Sequence, residues 1–89
     1  METDKNKQYQ LKAQQFYKLV EQYKQTKGAR QETIDKFCYY SHTVKKLHED
    51  DFNSQPRFVF QYAYDVVAHY CAIIEHTIYT TQDRKDDSQ

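Results

Sequence analysis

Residues 58–79 read FVFQYAYDVVAHYCAIIEHTIY, a run free of glycine and proline that follows Ser54-Gln55-Pro56. Serine shortly before a long apolar run suits a helix start, because its hydroxyl accepts an orphan backbone N–H and proline is tolerated in the first turn. The apolar residues fall on two helical stripes rather than one. The first is Val59, Tyr62, Val66, Tyr70 and Ile73; the second, rotated around the helix, is Phe60, Ala63, Val67, Cys71, Ile74 and Ile78. A helix that is apolar on two sides needs cover on two sides, from its own chain or from another. Arg57, Gln61, Asp65 and Glu75 lie on the narrow remaining face, where Arg57 and Gln61 can hydrogen-bond Asp65 along the helix. Asp65 also argues against a membrane span, since aspartate at mid-bilayer costs about 2.5–3.5 kcal/mol.

Upstream, the spacing predicts a first helix from Asp4 to Thr26, with Thr3 or Asp4 as its cap. Its stripe is Tyr9, Ala13, Phe16, Val20 and Tyr23, widened by Leu19, and its opposite face is lysine and glutamine. Gly28, the only glycine, stands where a helix end calls for a left-handed residue, just after Lys24 and Lys27. A second helix is expected from Arg30 to Glu49. Its apolar side is Ile34, Phe37, Cys38, Tyr40, Ser41, Val44 and Leu47. His48-Glu49-Asp50-Asp51 places negative charge at that helix's C-terminal end, where the dipole disfavours it, so it reads as a solvated acidic turn. The third helix should end near Thr81, leaving 83–89 as a disordered polar tail after a single domain spanning 1–82.

The fold class that follows is all-α: an antiparallel three-helix bundle with a long central C-terminal helix, dimerising into a larger helical bundle. Short connections impose the up-down-up course. Dimerisation follows because 89 residues make a marginal core and the third helix has a stripe to spare. With one Gly and one Pro, the chain lacks the turn residues that an all-β fold requires. Nine Tyr and five Phe with no Trp let it build a core from rings whose hydroxyls stay at the edge.

Composition also bounds function. Net formal charge is zero, so no strong global field draws nucleic acid or anionic lipid. Residues 1–30 carry seven Lys and Arg against three acids, whereas 31–89 carry six against ten, so the halves attract each other within the fold. Cys38 and Cys71, each placed on an apolar stripe, read as buried free thiols of a reducing cytoplasm. Met1 to Lys7 has no apolar segment of the kind a signal peptide needs.

The chemical motifs are absent. One glycine cannot make a phosphate loop, and there is no CxxC, HExxH, EF-hand or nucleophile elbow. Cys38 and His42 share a helix face, as do Asp65 and His69. His69 and Cys71, however, point about 200° apart on one helix and cannot serve one ion. No catalytic, cofactor or metal residue is therefore assigned, and the chain reads as a non-enzyme.

The expected function is a small protein-interaction module, most concretely an inhibitor or adaptor that binds a larger host protein such as a nuclease or a defence or replication component. Its phage or plasmid setting rests on lysine outnumbering arginine ten to three. The partner-binding residues, if the second stripe is open, are Phe60, Tyr64, Val67, Cys71, Ile74 and Ile78. Two other classes compete with it. A bacteriocin-immunity-type helical protein shares the size and helical outline but no motif. A weak nucleic-acid binder would use the Lys-rich first helix, whose lysines are spread around it rather than focused. The partners expected are thus a protein and a second copy, with no membrane.

Overall fold

The computed structural model describes residues 4–87, and among them it is all-helical with no strand. Three α-helices, α1 (Lys5–Gln25), α2 (Gln31–Leu47) and α3 (Arg57–Asp87), are joined by a short turn and by a 3₁₀ turn at Phe52–Ser54. The expected helices are present with ends shifted by a few residues. Asp4 is the N-cap of α1, its carboxylate accepting the Asn6 N–H at 2.9 Å; Thr3, the other cap considered, lies outside the described residues.

The 3₁₀ turn was not anticipated. It takes Ser54 away from the capping role, since the Ser54 hydroxyl donates to the Asp51 carbonyl at 2.9 Å within the turn. Helix α3 passes its expected end near Thr81 and its backbone stays helical through Asp87, because residues 82–87 contain neither glycine nor proline to stop it. Of the tail expected to be disordered, 83–87 belong to that helix, and Ser88 and Gln89 lie outside the described residues.

The α1 stripe is buried as its spacing demands: Tyr9, Ala13, Phe16, Val20 and Tyr23 all enter the core. Facing them on α3 are Phe60, Ala63, Val67, Cys71, Ile74 and Ile78. Helix α3 packs extensively on α1 and only lightly on α2. The reason is volume: the small side chains in the middle of that row, Ala63, Val67 and Cys71, let the large rings of α1 come close, and such complementarity is what fills a core.

Two tyrosines of α1 also serve α2. The Tyr9 hydroxyl donates to the Val44 carbonyl at 2.6 Å, in the last turn of α2, where helix carbonyls lack intrahelical partners. The Tyr23 hydroxyl accepts the Arg30 N–H at 3.0 Å, at the other end of α2, where Arg30 is the cap residue and makes no side-chain cap bond. Burial pushes the Tyr9 phenol well above its ordinary titration range, so it stays a donor. In addition, the Tyr23 ring meets Phe37 edge-on at 5.3 Å.

Between α1 and α2 the chain turns on Gly28, whose φ is +96°. A side chain here would be strained by the backbone and would also meet the Thr81 methyl of α3, 3.3 Å from where a Cβ would stand.

Cys71 is buried, and that burial raises its thiol pKa, whereas Cys38 is exposed. The expectation of two buried thiols is corrected for Cys38. It lies one residue, about 100°, from the inward Phe37, which turns it off the core face.

Two stability outcomes follow. Tyr9→Phe leaves a buried carbonyl short of its donor and should cost about 1–2 kcal/mol; Tyr23→Phe should cost about 0.5–1.5 kcal/mol. Because the two sites stand about 21 Å apart along α1, the double variant should be additive in urea unfolding followed by circular dichroism. Gly28→Ala should cost about 1–2 kcal/mol in the same assay, and adding Thr81→Ala should restore only the part due to the contact, since the backbone strain remains.

Candidate functional site

The loose seam between α2 and α3 leaves an open groove of about 390 Å³, lined by Thr43 and Leu47 from α2 and by Tyr62, Asp65, Val66, His69 and Tyr70 from α3. The α3 residues come from the first stripe and its outer edge, which the helical period places one turn apart. One edge of the seam is fixed where Tyr40 of α2 stacks on Tyr70 of α3, rings 4.1 Å apart and 4° from parallel. Tyr70 leans in turn on the buried Phe16 of α1, 6.0 Å away. The groove's apolar floor therefore rests on the core, while its rim faces water.

Three large rings on α3 stay outside, and two of them stand one turn apart at the groove end of the helix: Tyr62 is 66% exposed and Phe58 72%, while Tyr79 is exposed farther along. Asp65 is exposed as expected, and its carboxylate accepts the Gln61 side-chain N–H at 3.0 Å, one of the two bonds foreseen along that face.

The six residues named from sequence are placed differently. Phe60, Val67, Cys71, Ile74 and Ile78 lie in the core of the single chain, with Val67 and Ile74 wholly inaccessible. Tyr64 is half-buried, its ring against Phe60 and beneath the Lys12 ammonium. The condition attached to them, an open second stripe, is not met: α1 covers it. What stays open is the outer edge of the first stripe. The tyrosines marked that edge in the sequence, since a ring with a hydroxyl is the apolar residue that best tolerates water on one side.

A second polar constellation joins the start of α1 to the 3₁₀ turn. Residues 4–6 and 51–53 have the same pattern, Asp-x-Asn, and do the same thing. Each aspartate accepts the backbone N–H two residues on, Asp4 from Asn6 and Asp51 from Asn53. Each asparagine side chain then crosses over: Asn53 donates to Asp4 at 2.8 Å, and Asn6 donates to Asp51. The Asn6 side-chain oxygen Oδ1 meanwhile accepts the Phe52 N–H at 3.0 Å and lies 3.1 Å from the His48 ring nitrogen Nε2. His48 stacks on Phe52, and Phe52, buried, meets Tyr9 edge-on.

The acidic turn is thus a clasp as well as a solvated surface. Both aspartate pKa values are lowered, for Asp4 first by the Asn53 side chain and for Asp51 first by that of Asn6, with backbone N–H groups adding to each.

No group of three or more His, Cys, Asp and Glu able to hold a metal ion occurs among the described residues. No described helix is long and apolar enough to cross a membrane. Comparison with family models, curated proteins and solved structures finds no match for this chain.

The clasp makes a pH prediction. A carboxylate whose folded pKa lies below its ordinary 3.8 contributes stability that is fully present above that value. The contribution is lost as pH falls from there through the lower folded value. Urea midpoints should therefore drop below about pH 4. Asn6→Ala should lower stability at neutral pH by about 1 kcal/mol, leaving the Phe52 N–H without its acceptor, and should flatten the acid limb because Asp51 loses its main partner.

Proposed function

We propose that this chain is a small, non-enzymatic protein-interaction module of the cytoplasm, acting as an inhibitor or adaptor that seats its α3 edge in a site on a larger protein. The observation that supports it is the pair Phe58 and Tyr62, large rings one turn apart and mostly in water, beside an apolar groove. Single exposed apolar residues are ordinary, but adjacent aromatics flanking a concave floor have the composition of recognition surfaces.

An antiparallel up-down-up course fits the same contacts: Tyr9 reaches the end of α2, Tyr23 its beginning, and Tyr40 meets Tyr70. The Phe58–Tyr62 edge is also the surface we assign to dimerisation, because the second stripe of α3 is already occupied by α1. A phage- or plasmid-type setting, with a nuclease or a defence or replication protein as target, remains the concrete form of the proposal on lysine-rich composition.

The test is site-specific photo-cross-linking in extracts of the natural host. With p-benzoylphenylalanine at position 62, a discrete heavier adduct is expected, and none with the same group at position 14, which is exposed on α1. Identical patterns from both positions, or none from either, overturn the reading. An adduct of two chain masses assigns the edge to a second copy.

A further inference from the structure

We infer that the groove between α2 and α3 takes a basic side chain of the protein partner, an arginine or lysine whose aliphatic stem lies on Tyr62 and Val66 and whose charge ends at Asp65. Of the residues lining the groove, Asp65 is the only acid, and none is a lysine or arginine. Its neighbours are apolar or aromatic, apart from Thr43 and His69. A groove for an acidic side chain would present the reverse, a lysine or arginine at its rim. A carboxylate at the rim of an apolar trough is complementary to a cation carried on a hydrocarbon stem, since the stem loses water favourably while the charge stays at the wet edge.

Asp65 is also uncommitted. Its side-chain contact is the neutral Gln61 amide, and it forms no ion pair among the described residues.

The aromatic wall points the same way. Twice the chain sets one of its own ammonium groups over a tyrosine: Lys12 stands 5.9 Å from the Tyr64 ring and Lys36 stands 5.8 Å from that of Tyr40. Tyrosine faces attract cations through the ring quadrupole. Tyr40 is itself stacked on Tyr70, so Lys36 already occupies the outer end of a cation–ring–ring column whose inner member lines the groove. Tyr62, on the open side, has no such cation among the described residues.

A basic side chain at Tyr62 would complete on the partner's side what Lys36 does from within. Guanidinium fits better than ammonium, because its plane can lie on the ring while its fork reaches both carboxylate oxygens. This inference rests on the docking reading above and gives it a chemistry.

The probe is n-butylguanidinium chloride, with neutral n-butylurea as its isostere, titrated into the full-length chain and followed by NMR. Saturable shifts are expected at Tyr62, Val66 and His69 with the cation and not with the urea. Asp65→Asn and Tyr62→Ala, both at exposed positions and therefore compatible with folding, should each weaken the cation by about three- to fivefold. Equal response to cation and urea, no saturation, or an unchanged affinity in Asp65→Asn overturns the inference. Shifts at the same residues that appear on diluting the chain alone, and that the cation does not displace, overturn it in favour of a second copy. Cross-linking from position 62 reads occupancy whatever the charge, so its success beside a failed titration would leave the docking reading standing and remove only the chemistry.

Discussion

Helix α2 is hung from two phenol groups on α1. Tyr9 and Tyr23 stand fourteen residues apart, close to four turns, so they project from one face. Each buries a hydroxyl, and a buried hydroxyl without a partner is costly. Both are satisfied by the backbone of α2, one near each end of that helix. Apolar packing alone tolerates sliding, because one greasy surface resembles the next. Two directional bonds at opposite ends do not, since a shift of α2 by one residue would break both. The register of α1 and α2 is therefore set by polar contacts inside an apolar core.

That constraint explains the uneven packing of the rest. Helix α2 is pinned to α1, and α1 is seated over Ala63, Val67 and Cys71 of α3, so α2 cannot also close onto α3. The Tyr40–Tyr70 stack spans part of the remaining gap. Beside it, Thr43 and Leu47 fail to reach Tyr62 and Val66 closely, and the groove is what remains. The clasp of Asp4, Asn6, Asp51 and Asn53 works in the same direction at the end of the bundle. It ties the connection between α2 and α3 to the first turn of α1 rather than to the groove.

How much of this was legible follows from the kind of contact involved. The α1 stripe was readable in full because threes and fours repeat without interruption and one face is wholly polar. Gly28 was readable because a left-handed position favours glycine whatever lies around it. In α3 both stripes were visible, yet their assignment was not: periodicity gives the angle between two faces and says nothing of which neighbour each one meets. Side-chain volume held the missing information. Ala63, Val67 and Cys71 are the residues a bulky helix can approach, and Tyr62 and Tyr70 the ones that can bear water. In α2, seven residues were placed on the apolar side, but only Phe37 and Val44 are fully buried, since a helix pinned along one flank needs a narrow stripe. The clasp was out of reach of periodicity, because its cross-bonds join residues 45 and 49 apart. The repeated Asp-x-Asn was its one local trace.

The nine tyrosines tie the fold to the proposed site, and their burial sorts them. Tyr9 and Tyr23 have backbone partners and are core. Tyr17, Tyr40, Tyr64 and Tyr70 are half-buried against that core. Tyr39, Tyr62 and Tyr79 are exposed. A chain poor in aliphatics spends the same residue on all three layers, so the passage from interior to surface is graded rather than sharp. The gradient is what makes a recognition edge inexpensive here. The groove that Tyr62 borders needs no separate platform, because Tyr70, which also lines it, is already braced on Tyr40 and Phe16, and through Phe16 on the core. A side chain arriving at the groove would therefore meet a wall braced from both sides, by Tyr40 of α2, which borders the groove, and by Phe16 of α1 behind it.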